Sequence, residues 1–170
     1  VAQAAASHSP NAWIKIGTDN QVTVFVARAE MGQDVYTSMT MLVAEELNVD
    51  ISKINIEFAK PNEAYINKFF GLMGTGGSTS IRDAWETLRK AGASARMMLV
   101  AAAADNWGVD ASKCSAQNGI VKGPGRKKAT YGKLAEKASS MEVPKEVALK
   151  PASEWKYIGN TKLKRLDTQM

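Results

Sequence analysis

Cysteine and histidine are nearly missing from this chain of 170 residues, which holds one of each, Cys114 and His8. A lone cysteine cannot close an internal disulfide, and it cannot hold a zinc ion or an iron–sulfur cluster, which need several ligands. A single histidine close to the N-terminus argues against a histidine metal site or a Ser-His-Asp triad inside the fold, so no metal ligand is assigned. Aromatic residues make up only 7%. No apolar run reaches the roughly 18 residues needed to cross a bilayer. What remains is ordinary: 45% hydrophobic and 23% charged residues, enough for one domain with a real core. Chemistry performed here must be borrowed from a cofactor or a partner chain.

The net charge of +5 is unevenly spread. Residues 1–121 carry 10 basic and 12 acidic side chains, whereas residues 122–170 carry 12 basic and 5 acidic. A basic C-terminal third can serve nucleic acid. Its lysines are mostly dispersed and its aromatics few, which favours a solvated surface facing protein.

Along the chain, residues 1–11 are small and polar and read as a flexible lead. Ala12–Ile16 and Gln21–Ala27 are β-rich runs joined by Gly17-Thr18-Asp19-Asn20, a hairpin signal. Val35, Met39, Leu42, Val43 and Leu47 share a helical face, which predicts a helix over 35–47. Ile54, Ile56 and Phe58 alternate as in a half-buried strand. Ile81–Trp107 is the strongest helical pattern, with small residues at Ala91–Ala95 and a stop at Gly108. Short strands near 115–117 and 120–122 and a helix from Tyr131 to about Ser139 follow. Residues 141–170 read as an extended strap leading to an absent domain. The expected architecture is α+β, a small mixed sheet packed against helices, with the domain proper over 12–140.

Two glycine-bearing loops precede helices. In Gly71–Ser80 the glycines admit a ligand to backbone N–H groups, and Thr75, Ser78, Thr79 and Ser80 add hydroxyls. Ser80 with Asp83 resembles a capping box, so the helix dipole and free N–H groups would face this loop and suit an oxyanion. There is no Walker lysine and no dinucleotide glycine spacing. A serine-capped connector is the competing reading. In Glu30-Met31-Gly32-Gln33-Asp34, Gln33 can donate and accept at once; it reads either a cofactor edge or only solvent.

Taken together, Glu30-Met31-Gly32-Gln33, the helix with Leu42-Val43-Ala44-Glu45-Glu46-Leu47, and Thr75-Gly76-Gly77-Ser78-Thr79-Ser80 resemble the molybdenum-cofactor segment of the xanthine oxidase/aldehyde oxidase family. The similarity is strongest to its branch of isoquinoline 1-oxidoreductase beta subunits and periplasmic aldehyde dehydrogenases. Asn11–Ile16, Arg82, Ala84-Trp85-Glu86, Cys114, Asn118-Gly119 and Arg165-Leu166-Asp167 extend it over nearly the whole chain. The resemblance implies a molybdopterin-binding domain of an oxidoreductase that oxidises an aldehyde or an N-heterocycle with oxygen from water. It implies cofactor contacts from Gly32 and Gln33, and a cofactor wall from Thr75, Gly76, Gly77, Ser78 and Ser80. It also implies a pyranopterin molybdenum cofactor in cytosine dinucleotide form, a two-cluster iron–sulfur small subunit, a cytochrome c acceptor and a periplasmic setting.

Two departures stand out. Asp34 occupies the place of the family's usual glycine, and the family's catalytic glutamate has no counterpart, so no catalytic residue is assigned. Family large subunits are several times longer. The chain is therefore expected to be a portion of one, inactive alone. A non-catalytic binding or assembly module sharing the fold is the alternative.

Overall fold

The computed structural model describes residues 6–167. Its first sheet has four strands in the order β1 (Ser7–Asn11), β2 (Ile14–Gly17), β3 (Val22–Val26) and β4 (Ile54–Phe58). β1–β2 and β2–β3 are antiparallel, and β3–β4 is parallel. The predicted turn at Gly17–Asn20 makes the hairpin, with Asn20 in the left-handed region and its N–H donating to Gly17 O at 2.9 Å. The parallel step needs a crossover, and α1 (Val35–Leu47) supplies it. The mixed sheet is thus the one expected.

Register decides which face is the core. Ile14 pairs with Val24, Ile16 with Val22, and Val24 with Ile56, so these side chains share a face. All are buried. The opposite face carries Lys15, Phe25 and Glu57, with a Lys15–Glu57 ion pair at 3.1 Å. Onto the core face pack α1 and the 28-residue α2 (Ser80–Trp107). Gly92 is where the two helices meet, because a Cβ there would lie 2.7 Å from Val43 O and 3.1 Å from Glu46 Cβ. The small run 91–95 is therefore a helix-packing surface. Gly108 ends α2 in the left-handed conformation.

A second, antiparallel sheet of β5 (Ser115–Gln117), β6 (Ile120–Lys122) and β7 (Lys128–Thr130) leads into α3 (Tyr131–Ser139). It is tied back to the end of α1: Gly119 N donates to Asn48 O at 3.0 Å, and Tyr131 Oη donates to Leu47 O at 2.7 Å. Burial pushes the Tyr131 phenol above its usual range.

One expectation needs correction. Within the lead 1–11, Ser7–Asn11 is an edge strand; the residues before Ala6 lie outside those described. Its order comes from backbone bonding to β2 and from Asn11, which donates to Ala91 O at 3.0 Å and accepts from Trp13 N. Pro10 sits where the register slips, as an edge strand allows. The strap, through residue 167, wraps over α1, held by two carboxylates with no solvent exposure. Glu45 accepts from the N–H groups of Lys156, Tyr157 and Ile158 and pairs with Lys150 Nζ at 3.2 Å. Glu46 takes a two-pronged bond from Arg89 at 2.9 and 2.7 Å and accepts from Lys150 N. Helix positions that read as polar by periodicity are buried because the strap covers them.

Candidate functional site

The first loop, between β3 and α1, is organised by Glu30. Its carboxylate accepts from Gly32 N at 2.8 Å, Asp34 N at 3.0 Å and Tyr36 N at 3.1 Å. Burial raises the Glu30 pKa, but the bonds from Tyr36, Asp34 and Gly32 outweigh that and hold it below the usual carboxylate range. The head of α1 is thus already capped by an anion from its own chain. Gln33 folds back over the loop: Oε1 accepts from Met31 N at 2.5 Å, and Nε2 donates to Ala29 O at 2.8 Å. A glutamine amide has two donors and two lone-pair sites, so one of each stays available, and the side chain is exposed.

Asp34 adopts φ 65°, a conformation that glycine enters without strain. The carboxylate is turned to the strap, where Asp34 Oδ1 lies 3.6 Å from Arg165 Nε. Arg165 also pairs with Asp167 at 2.6 Å and approaches Glu30 at 3.6 Å. The strap therefore clasps the first loop.

The second loop is built around Asn67, which is fully buried. Its Nδ2 donates to Thr79 Oγ1 at 2.8 Å, and its Oδ1 accepts from Phe69 N at 3.0 Å. Gly76–Thr79 closes a turn by Thr79 N to Gly76 O at 3.1 Å, with positive φ at both Gly77 and Ser78. Such a turn wants glycine, and Ser78 bears the strain. An added Cβ would meet only the Phe70 ring at 3.9 Å beside Gly76, and the Phe70 ring and Thr79 Cγ2, both at 3.7 Å, beside Gly77, so this backbone surface is uncrowded. Ser80 begins α2, but the capping box does not form. Thr79 is the cap residue and makes no side-chain cap bond. Asp83 is drawn instead to the buried Arg28 at 2.6 Å and to Lys68 N at 3.0 Å. The N–H groups of Ser80, Ile81 and Arg82 precede the first helical donor, Asp83 N, and have no partner among the described residues.

One bond joins the loops: Ala29 N donates to Thr75 Oγ1 at 2.8 Å. Gln33 and the Thr75–Ser80 wall are thereby held on one part of the molecule. Residue patterns missed Glu30 as the loop's anchor, although an acid just ahead of a helix was its signal. They also missed Asn67 and Arg28, which bond Thr79 and Asp83 at 12 and 55 residues' distance in sequence.

A mixed sheet covered by helices, with two joined polar loops ahead of those helices, makes this an α+β domain. The chain belongs to the molybdopterin cofactor-binding domain family, whose sequence model matches residues 1–168. It is 37% identical over 163 residues to a membrane-bound aldehyde dehydrogenase (pyrroloquinoline-quinone) of Gluconacetobacter polyoxogenes, covering 93% of this chain and 20% of that protein. It is 34% identical over 142 residues to the isoquinoline 1-oxidoreductase beta subunit of Brevundimonas diminuta, covering 82% of this chain and 18% of the relative. The chain thus spans about a fifth of the length of these relatives. Among solved structures it resembles quinoline 2-oxidoreductase from Pseudomonas putida 86, with TM-score 0.55 and 18% identity over 75% of this chain and 16% of that one. It also resembles reconstituted CO dehydrogenase from Oligotropha carboxidovorans, with TM-score 0.56 and 22% identity over 72% and 15%. These two show the shared fold. No helix among the described residues is long and apolar enough to cross a membrane.

Proposed function

We propose that the two joined loops form one wall of the molybdenum cofactor site in the large subunit of an oxidoreductase acting on an aldehyde or an N-heterocycle. The observation that carries this reading is the Thr75–Ala29 bond, which ties the loop of Gln33 to the glycine-rich loop ahead of α2, where the N–H groups of Ser80, Ile81 and Arg82 have no partner among the described residues. The residues fit a phosphate-bearing pterin. The donors are backbone N–H groups and the hydroxyls of Ser78 and Ser80. The nearby acids Asp83 and Glu86 are paired with Arg28 and Lys90.

In this reading the bound cofactor supplies the two-electron redox centre, and this chain's residues bind and orient it. Thr75, Gly76, Gly77, Ser78 and Ser80 receive its anionic and polar edges, with the α2 dipole favouring negative charge. Gln33 offers its remaining donor and lone pair. Gly32 contributes an open surface and not its N–H, which Glu30 occupies. Nothing in the chain is assigned to proton transfer. The single cysteine is consistent with iron–sulfur clusters on a separate small subunit, with a cytochrome c as onward acceptor. Cytosine dinucleotide form and a periplasmic setting complete the proposal.

The test is metal and pterin content of the complete large subunit, purified with its partners. Gln33→Ala and Gly77→Val, the latter forcing a β-branched residue into φ 56°, are expected to lower molybdenum and pterin several-fold. Wild-type content in both variants would refute the reading. Assaying pyrroloquinoline quinone in the same extract separates the cofactor in the first relative's name from a pterin. A cofactor-free assembly module is a second reading, favoured by the N–H groups that Glu30 consumes. It predicts no molybdenum in the intact protein.

A further inference from the structure

β4 lies at the end of the first sheet, with β3 on one side and no strand on the other. Its register fixes which groups are left over. Ala59 N donates to Val26 O at 2.9 Å, and backbone groups alternate sides along a strand, so Asn55, Glu57 and Ala59 face β3. The N–H and C=O groups of Ile56 and Phe58 point away from it and have no partner among the described residues. Natural sheets cover, charge or twist such an edge. Here it is accompanied by uncovered core-face side chains: Phe58 is 54% exposed, although its partner Val26 is fully buried, and Ile54 is only half-buried.

Beside this edge runs a groove of about 520 Å³. One wall is Ile54–Ile56; the other is the strap, with Tyr157, Leu163 and Leu166. Lys156, Lys162 and Lys164 line the groove, and no acidic residue does. The ammonium groups of Lys162 and Lys164 have no carboxylate partner among the described residues. The space suits a short extended segment, apolar toward Ile54 and Ile56 and acidic toward the lysines.

We propose that β4 is an interior strand of the assembled protein: its outer edge pairs with an extended, acid-bearing segment of the same large-subunit polypeptide, outside these 170 residues, laid between β4 and the strap. Relatives five times as long as this chain supply ample polypeptide for it. Main-chain pairing gives such an addition its affinity, and alternate side chains give its specificity. The proposal rests on the reading of this chain as part of a larger subunit. Molybdenum content, measured on the same sample, tells failure of that reading from failure of this one.

The experiment is amide hydrogen exchange at residue resolution on the complete large subunit. Ile56 and Phe58 are expected to exchange within about tenfold of Asn55 and Glu57, which bond to β3, since paired edges share the protection of the sheet. Exchange of Ile56 and Phe58 at unstructured rates overturns the proposal. So does protection that disappears on dilution, which assigns the edge to a second copy. Phe58→Pro removes the outward donor while leaving the bonds to β3, and proline is tolerated at such a position. It should speed exchange at Ile56 more than Phe58→Ala does; equal effects mean that something covers the edge without pairing. Lys162→Glu combined with Lys164→Glu should speed exchange at both amides at least tenfold. An unchanged rate overturns the acidic character of the segment.

Discussion

Glu46 sits on α1 with no solvent exposure and faces Arg89 on α2, itself nearly buried. Removing one partner of such a pair leaves the other charge without compensation, which costs far more than the pair's net worth. Glu46→Ala is therefore expected to destabilise the protein by about 3–5 kcal/mol, read from the denaturant midpoint. Glu86→Ala breaks only the exposed pair with Lys90 and should leave that midpoint unmoved. Glu30 acts differently: it spends its charge on three N–H groups of the loop that carries Gln33. Glu30→Gln keeps the shape but weakens those bonds. Its expected effect is to loosen 31–34, seen as faster amide exchange at Gly32, Asp34 and Tyr36, with no comparable change at Thr79.

Two elements, α1 and α2, approach closely at Gly92. Alanine favours a helix over glycine by roughly 1 kcal/mol, so propensity alone predicts that Gly92→Ala stabilises. The structure predicts the reverse. The new methyl would meet Val43 O, a backbone atom that cannot swing aside, at 2.7 Å. Overpacking of this kind costs about 1–3 kcal/mol, and the helices must separate to relieve it. A lower melting temperature for Gly92→Ala confirms the packing; a higher one would show that the helices have slack. The head of α2 tells a related story. Ser80 and Asp83 have the right spacing for a cap, yet Asp83 is claimed by Arg28, because a buried guanidinium needs a carboxylate more than an exposed helix end does.

Across the whole molecule the strap links α1, α2 and the first loop. Its docking depends on ionised Glu45. Burial raises the Glu45 pKa, but the bonds from Tyr157, Ile158, Lys156 and Lys150 prevail and depress it below the ordinary 4.5. A depressed folded-state value means the stabilisation is complete above the unfolded value and is lost as pH falls through the folded one. The strap should hold at neutral pH and release as acid carries Glu45 through its lowered pKa. Trp155, on the strap, lies edge-on to Trp85 of α2 with centroids 5.8 Å apart. An emission change below pH 4.5, absent in Trp155→Phe and already present at neutral pH in Glu45→Ala, would confirm this. A flat acid profile with Glu45 intact would refute it.

The amino-acid order by itself determined the helices, the hairpin and most strands. Val35–Leu47 is legible because apolar residues recur at helical spacing, and its end at Asn48 needs no distant partner. Ile54-Asn55-Ile56-Glu57-Phe58 is legible because apolar and polar residues alternate, although only Ile56 of its apolar residues is buried. The two loops were legible as motifs because glycine and hydroxyl residues cluster ahead of helices. Tertiary structure alone decided the rest. β1 is held by backbone bonds, which leave no apolar pattern to read. Glu45 and Glu46 read as an exposed face, yet they are buried by chain more than 100 residues away. The joining of the loops rests on one bond from Ala29 to Thr75, across 46 residues. Periodicity records what a residue does within its own element, whereas a site is made where elements meet.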